Sequence, residues 1–192
     1  MKAIALAVSL PRLRRVRALG RVGFAAAGLI FLGAVLPAMA ETPEQWVSLG
    51  ERIHGAFGSY IALGIRIGQD ASERLQAKPR DLEVVLIQGP NSPCPCLADG
   101  LMLSTYATPG RGTLRIADEK ATADQLAIVV VRSKESGETL RYIVPDALRT
   151  KLDEWNRKLQ PIARYHAMFE QPEAGLFTRG VLEVQPEWSN AH

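Results

Sequence analysis

Two cysteines separated by a single proline, Cys94 and Cys96, are the residues of this sequence best suited to chemistry. They stand in a proline-rich loop, Gly89–Cys96, which follows a predicted strand and leads into a predicted helix. A helix N-terminus stabilises a thiolate because its dipole and free amides present positive charge. A Cys-Pro-Cys pair can exist as two thiols, as a metal-binding pair, or as a disulfide that is awkward in geometry and therefore labile. The residues alone leave these three states open.

Histidine is the other side chain here that suits metal binding or acid–base chemistry. His54 stands at the junction between a predicted helix and Gly55, just before a second helix, whereas His192 is the last residue. Asp99, one turn after Cys96, is most simply an acid in the first turn of a helix. The sequence has no glycine-rich phosphate loop, no histidine pair at zinc-protease spacing and no serine elbow. Spacing alone does not bring His54 to the cysteines.

Residues 1–40 have the pattern of a secretory signal peptide. They contain six of the 23 basic residues and none of the 20 acidic ones, and they include an apolar run, Val22–Leu36. That run is shorter than the roughly 20 residues that a transmembrane helix needs, and the small residues before Glu41 fit cleavage after Ala40. We therefore expect a periplasmic or secreted mature protein, 41–192, without a membrane span. The general and twin-arginine export routes both stay open.

The distribution of charge argues against nucleic acid as a partner. The sequence pI is about 9.0, but the basic excess belongs to residues 1–40, and the rest of the chain has 17 basic residues against 20 acidic ones. A nucleic-acid-binding protein needs a basic surface, and the predicted mature protein has no basic excess to supply one. Two cysteines are also too few for a disulfide framework or a four-cysteine zinc ribbon.

The apolar pattern predicts one α+β domain, with helices packed on one face of a mixed, mostly antiparallel sheet. Gly64 and Gly68, four residues apart in the second helix, would let another backbone approach closely. The predicted helices are about 43–53, 59–75, 97–106 and 145–158, with a short one to Phe169, and the predicted strands are about 82–88, 113–117, 126–132 and 140–144, with a weak one at 180–184.

Three segments, in the same order along the chain, resemble the FmdE family, which is named after formylmethanofuran dehydrogenase. The first is His54–Gly68 (HGAFGSYIALGIRIG), which is similar to a family motif HGHxCPG followed by an aliphatic GxRxG helix. The second, Cys96–Thr105 (CLADGLMLST), resembles a Cys-x-x-Asp-Ala/Gly segment. The third, Thr108–Ile116 (TPGRGTLRI), resembles a T-x-G-K-G-N-L turn and strand.

The resemblance covers about residues 46–145 and implies an α+β fold with a mixed four-stranded sheet. We therefore interpret 41–192 as one FmdE-like domain, with its core at about 46–160 and a C-terminal tail at about 161–192. The resemblance also implies a site. His54 falls on the first histidine of the family's metal motif, and family members bind a divalent metal, usually zinc, near these positions.

The sequence departs from the family motif at several of the metal positions. Ala56 replaces its second histidine, Gly58 its cysteine, and Ala107 a cysteine before the glycine turn. Cys94 is an addition, and no cysteine follows Cys96, so the zinc-ribbon tail of some members is missing. These changes indicate a rebuilt site rather than a copy of the family's.

We predict a site for a divalent transition metal, with His54, Cys94 and Cys96 as ligands and Asp99 as a hydrogen-bond acceptor that orients it. Zinc is the first choice, and copper also suits a thiolate–imidazole set. The alternative is a periplasmic thiol redox or sensor protein whose two cysteines cycle between dithiol and disulfide. A further alternative is a non-enzymatic ligand-binding or assembly factor. Enzymatic activity, a small-molecule ligand and pairing into a homodimer stay open.

Overall fold

The computed structural model describes residues 41–183. The predicted signal peptide and His192 lie outside the described residues. Within 41–183 no helix combines the length and the apolar character that crossing a bilayer would require. The helices are α1 (Pro43–His54), α2 (Ser59–Arg74), α3 (Leu97–Thr105), α4 (Leu148–Lys158) and α5 (Pro161–Phe169), and the strands are β1 (Leu82–Gln88), β2 (Leu114–Ile116), β3 (Gln125–Ser133), β4 (Thr139–Pro145) and β5 (Thr178–Val181).

The five strands form one mixed sheet in the order β2-β1-β3-β4-β5. The β1–β2 pair is parallel, and the other three pairs are antiparallel. Alternate residues of β1, namely Leu82, Val84 and Leu86, are buried in the same core as the apolar side chains of the helices. The sequence prediction of an α+β domain with a mostly antiparallel sheet is confirmed, with β5 as a fifth strand.

Helix α1 is bounded by two local signals that fix the position of its last residue, His54. At its start the Thr42 hydroxyl accepts a hydrogen bond from the Gln45 amide at 3.3 Å, and the Gln45 side chain accepts one from the Thr42 amide at 2.7 Å. At its end Gly55 adopts the left-handed region, with φ 88°, and its amide donates to Glu51 O. The chain therefore turns immediately after His54.

Helices α2 and α3 approach so closely that their backbones are in contact. A Cβ placed on Gly64 would overlap with Leu97 O and lie 2.9 Å from Gly100 Cα, and a Cβ on Gly100 would overlap with Ile61 O. The spacing of Gly64 and Gly68 predicted such an approach, and the structure confirms it. The contact also sets the N-terminal turns of the two helices beside each other.

Helix α4 begins later than the sequence pattern indicates, at Leu148 rather than Pro145. Pro145 is still the last residue of β4, where it pairs with Gln125, and the next amide, Asp146 N, donates to Asp124 O at 2.8 Å. Strand pairing therefore extends into the predicted helix. The last strand also ends earlier than predicted, at Val181.

The packed core continues through α5 and the segment that follows it. Met168, Leu176 and Phe177 are buried in the core cluster. Asp70 of α2 joins this part of the chain to the sheet, because its carboxylate accepts hydrogen bonds from Tyr142 Oη and Arg179 Nη1, both at 2.7 Å. The region that the sequence analysis assigned to a C-terminal tail thus contributes to the core.

Three tyrosines are expected to resist ionisation in the folded protein. Burial raises the pKa of Tyr60, Tyr142 and Tyr165 above the usual value of 10.0. Because the unfolded chain loses these protons more readily, the stability contribution is complete below about pH 10 and is lost as the pH rises toward the folded-state pKa values. Tyrosinate absorbance and urea midpoints measured over alkaline pH check this, and Tyr142→Phe should flatten the pH dependence.

Candidate functional site

A cavity of about 340 Å³ opens between the α1–α2 junction, the proline-rich loop and the last two helices. His54 and both cysteines line it, so the fold brings the three predicted ligands to one place. The other lining residues are Ala56, Gly58, Tyr60, Ile61, Pro93, Asp153, Asn156 and Arg164.

His54 is oriented in this cavity by Asp99. The Nδ1 atom of His54 lies 2.6 Å from Asp99 Oδ2, and the two side chains are 33% and 32% exposed. A carboxylate only accepts hydrogen bonds, so Nδ1 carries the proton and Nε2 of the neutral ring is a proton acceptor. The contact joins the end of α1 to the first turn of α3. It is the interaction that the sequence analysis expected Asp99 to make with a neighbouring group.

The two cysteines form a disulfide, Cys94–Cys96, with their Cα atoms 5.3 Å apart. Both residues are partly buried, and Cys96 packs against the core. The loop is held by short-range contacts: Ser92 Oγ donates to Cys94 O at 3.2 Å, and Ala98 N donates to Pro95 O at 2.8 Å. The structure therefore contains the oxidised one of the three states that the sequence left open.

Helices α2 and α3 both begin at this cavity. Their N-cap residues, Gly58 and Cys96, are lining residues, and neither cap makes a side-chain hydrogen bond. The positive ends of two helix dipoles are thus directed at the sulfur atoms, and this would stabilise a thiolate there. The Gly64–Gly100 contact holds the two N-termini in this position.

The opposite wall of the cavity carries an acidic pair that sequence reasoning missed. Tyr60 Oη donates to Asp153 Oδ1 at 2.8 Å, and Tyr60 is only 4% exposed. Burial, followed by this hydrogen bond, raises the pKa of Tyr60, which therefore stays protonated. Arg149 Nη1 lies 3.9 Å from the other carboxylate oxygen, Asp153 Oδ2. Asp153 is thus held in one orientation at the cavity wall.

Arg164 fastens the α1–α2 junction to the ends of α4 and α5. Its guanidinium donates to Phe57 O at 2.6 Å, Asn156 O at 2.8 Å and Trp155 O at 3.4 Å. The Asn156 side chain in turn accepts a hydrogen bond from Ser59 N at 2.8 Å. These contacts span about a hundred residues of sequence, so no local pattern indicated them.

A metal does not fit the residues while the disulfide is closed. The sulfur atoms of Cys94 and Cys96 are bonded to each other and are not thiolates. Residues 41–183 contain no group of three or more His, Cys, Asp and Glu side chains placed to hold a metal ion. The predicted ligand set of His54 with two sulfur atoms therefore requires the reduced form of the site.

Comparison with known proteins identifies one family. A family model described as FmdE, Molybdenum formylmethanofuran dehydrogenase operon, matches residues 53–180, which is more than half of the chain. The matched region includes His54, both cysteines, Asp99 and the opposite wall of the cavity. A search of the curated proteins gives no match.

Proposed function

This chain belongs to the FmdE family, and we propose that it acts within that family as an exported thiol–disulfide redox protein. Its reactive group is the Cys94–Cys96 disulfide, and His54 is the acid–base residue. One observation carries this proposal: the disulfide lines a cavity together with a histidine whose Nδ1 is held by Asp99 at 2.6 Å. A redox-active disulfide requires an accessible sulfur, a stabilised leaving thiolate and a proton carrier. The described residues supply each of these.

The proposed reaction is reduction of the disulfide by two thiol molecules. His54 Nε2 accepts the proton of the first thiol, whose sulfur attacks Cys94 and forms a mixed disulfide. The Cys94–Cys96 bond breaks, Cys96 leaves as a thiolate at the N-terminus of α3, and the imidazolium returns the proton to it. A second thiol then attacks the mixed disulfide, so the protein gains two thiols and the two substrate thiols become one disulfide.

Asp99 supports this proton transfer without contacting the substrate. While His54 carries two protons, the nearby carboxylate balances the positive charge of the ring. The hydrogen bond to Nδ1 also directs Nε2 away from Asp99. Cys96 is the preferred leaving sulfur because it caps α3, whereas Cys94 lies in the loop. Export to an oxidising compartment accounts for the disulfide, since the cytosol keeps such pairs reduced.

The test is to count thiols in protein purified from the exported fraction without reductant. We expect a mass that begins at Glu41, no thiol that reacts with an alkylating agent, and two reactive thiols after mild reduction. A chelator should release no thiol, because a disulfide opens only on reduction. Cys94→Ser, which leaves one thiol, is the matched control. Two thiols that appear on chelation alone would contradict the redox proposal.

A second candidate is a metal site formed after reduction, because His54 and both sulfur atoms line one cavity. Two thiolates and one imidazole would suit zinc, or copper, and would leave a position for water. The reduced protein from the thiol assay is suited to test it. Bound zinc should fall in both His54→Ala and Cys96→Ser, whereas equal zinc content in all three proteins would exclude this candidate.

A further inference from the structure

We propose that the co-substrate of this site is a low-molecular-weight aminothiol, whose ammonium group binds Asp153 while its sulfur reaches the disulfide. This inference rests on the thiol–disulfide function proposed above and adds the chemical class of the thiol.

The size and position of the cavity favour a small molecule. The disulfide lies in the wall of a cavity of about 340 Å³, which is within the range of about 300–1,000 Å³ found for small-molecule sites. Both cysteines are partly buried. A thiol must therefore enter the cavity to reach the sulfur atoms, and the opposite wall, with Asp153, then contacts the rest of that molecule.

Asp153 has an oxygen available for a ligand, because its contacts leave one side of the carboxylate open. Oδ1 accepts the hydrogen bond from Tyr60 at 2.8 Å. The nearest cation to Oδ2 is Arg149 Nη1 at 3.9 Å, which is longer than a hydrogen bond. Tyr60 holds the carboxylate in place, so a ligand ammonium gains a charge-assisted hydrogen bond without reorientation of Asp153.

The other charged groups of the cavity do not compete for this end of the ligand. The Arg164 guanidinium donates to three backbone carbonyl groups, so it is engaged in holding the fold. At the sulfur end, the N-termini of α2 and α3 favour negative charge. A zwitterion with a thiolate at one end and an ammonium group at the other therefore matches the polarity of the cavity along its length.

The experiment compares two thiols that differ in one group. Cysteamine carries an ammonium group where 2-mercaptoethanol carries a hydroxyl group. The rate at which each reduces the Cys94–Cys96 disulfide is measured by quenching and alkylation, expressed per thiolate, and divided by its rate with a small-molecule disulfide. We expect the wild-type protein to favour cysteamine about tenfold, the factor that one charge-assisted hydrogen bond provides. A longer pair, 3-aminopropanethiol and 3-mercaptopropanol, repeats the comparison.

Asp153→Asn should remove this preference, since the amide oxygen still accepts the Tyr60 hydrogen bond but carries no charge. Glu154→Gln is the matched control. It removes the same charge from the adjacent residue of α4, which pairs with Lys158 at 2.7 Å outside the cavity, and should keep the preference. No preference in the wild-type protein, or equal losses in both variants, would overturn the proposal.

The 2-mercaptoethanol rate separates this inference from the function on which it rests. If 2-mercaptoethanol reduces the disulfide of wild-type protein and of Asp153→Asn equally well but cysteamine gains no advantage, the redox function stands and the aminothiol proposal fails. If neither thiol reduces the disulfide faster than it reduces a small-molecule disulfide, the redox function itself fails.

Discussion

Gly100→Ala is expected to lower the free energy of unfolding by about 3 kcal/mol, at the upper end of what overpacking costs in a well-packed protein. The added methyl group would overlap with Ile61 O and approach Ile65 N to 2.8 Å and Gly64 Cα to 2.9 Å. All three neighbours are backbone atoms of α2, so no side chain can rotate away. The helices would have to separate, and the core between them and the sheet would open.

Urea unfolding followed by circular dichroism measures this effect. Gly110→Ala is the matched control, because a Cβ at Gly110 meets no atom within 4 Å and the backbone there does not have a left-handed φ. We expect the control to unfold within about 0.5 kcal/mol of the wild-type protein. Gly64→Ala should resemble Gly100→Ala, since the two glycines face each other. An unchanged urea midpoint for Gly100→Ala would show that the backbone contact is not tight.

The same substitution links the fold to the site. The N-terminal turn of α3 carries both Cys96 and Asp99, and the Gly64–Gly100 contact holds that turn against the start of α2. Any separation of the helices therefore moves a sulfur atom and the partner of His54 together. In folded Gly100→Ala protein we expect slower reduction of the disulfide than in Gly110→Ala.

The elements of the fold could be predicted where one local signal dominates. Strand β1 has its predicted bounds, Leu82–Gln88, because a β-branched apolar run is bounded by polar residues and prolines. The start of α4 could not be predicted. Pro145 is a favourable first residue for a helix, but pairing with Gln125 of β3 keeps it in the strand. Non-local pairing thus outweighed the local preference.

The site was predictable on one side only. His54, Cys96 and Asp99 could be identified by their place in family-like motifs, and Cys94 by its proximity to Cys96. The oxidation state of the cysteines could not be inferred, since a Cys-x-Cys pair permits three states. The wall with Asp153 escaped sequence reasoning because its role depends on a hydrogen bond from a residue 93 positions earlier. No periodic pattern records such a contact.

His54→Asn is expected to slow reduction of the disulfide by about a hundredfold, the lower end of what a positioned acid–base residue contributes. Asparagine cannot accept the proton of the incoming thiol or return it to the leaving Cys96. Asp99→Asn should slow the reaction less, because the imidazole remains but loses the charge that stabilises its protonated form. Stopped-flow mixing with a single thiol, followed by alkylation, gives the rates for each variant over a range of pH.

His166→Asn is the matched control for the loss of an imidazole. His166 is exposed on α5, stacks edge-on against Tyr165 and does not line the cavity. It should therefore leave the rate unchanged. The pH profile distinguishes catalysis from packing: if His54 moves protons, the rate of His54→Asn should follow only the thiolate fraction of the reductant, whereas the wild-type rate should show an additional ionisation. Parallel profiles and equal rates in His54→Asn and His166→Asn would mean that the helix N-termini alone activate the disulfide.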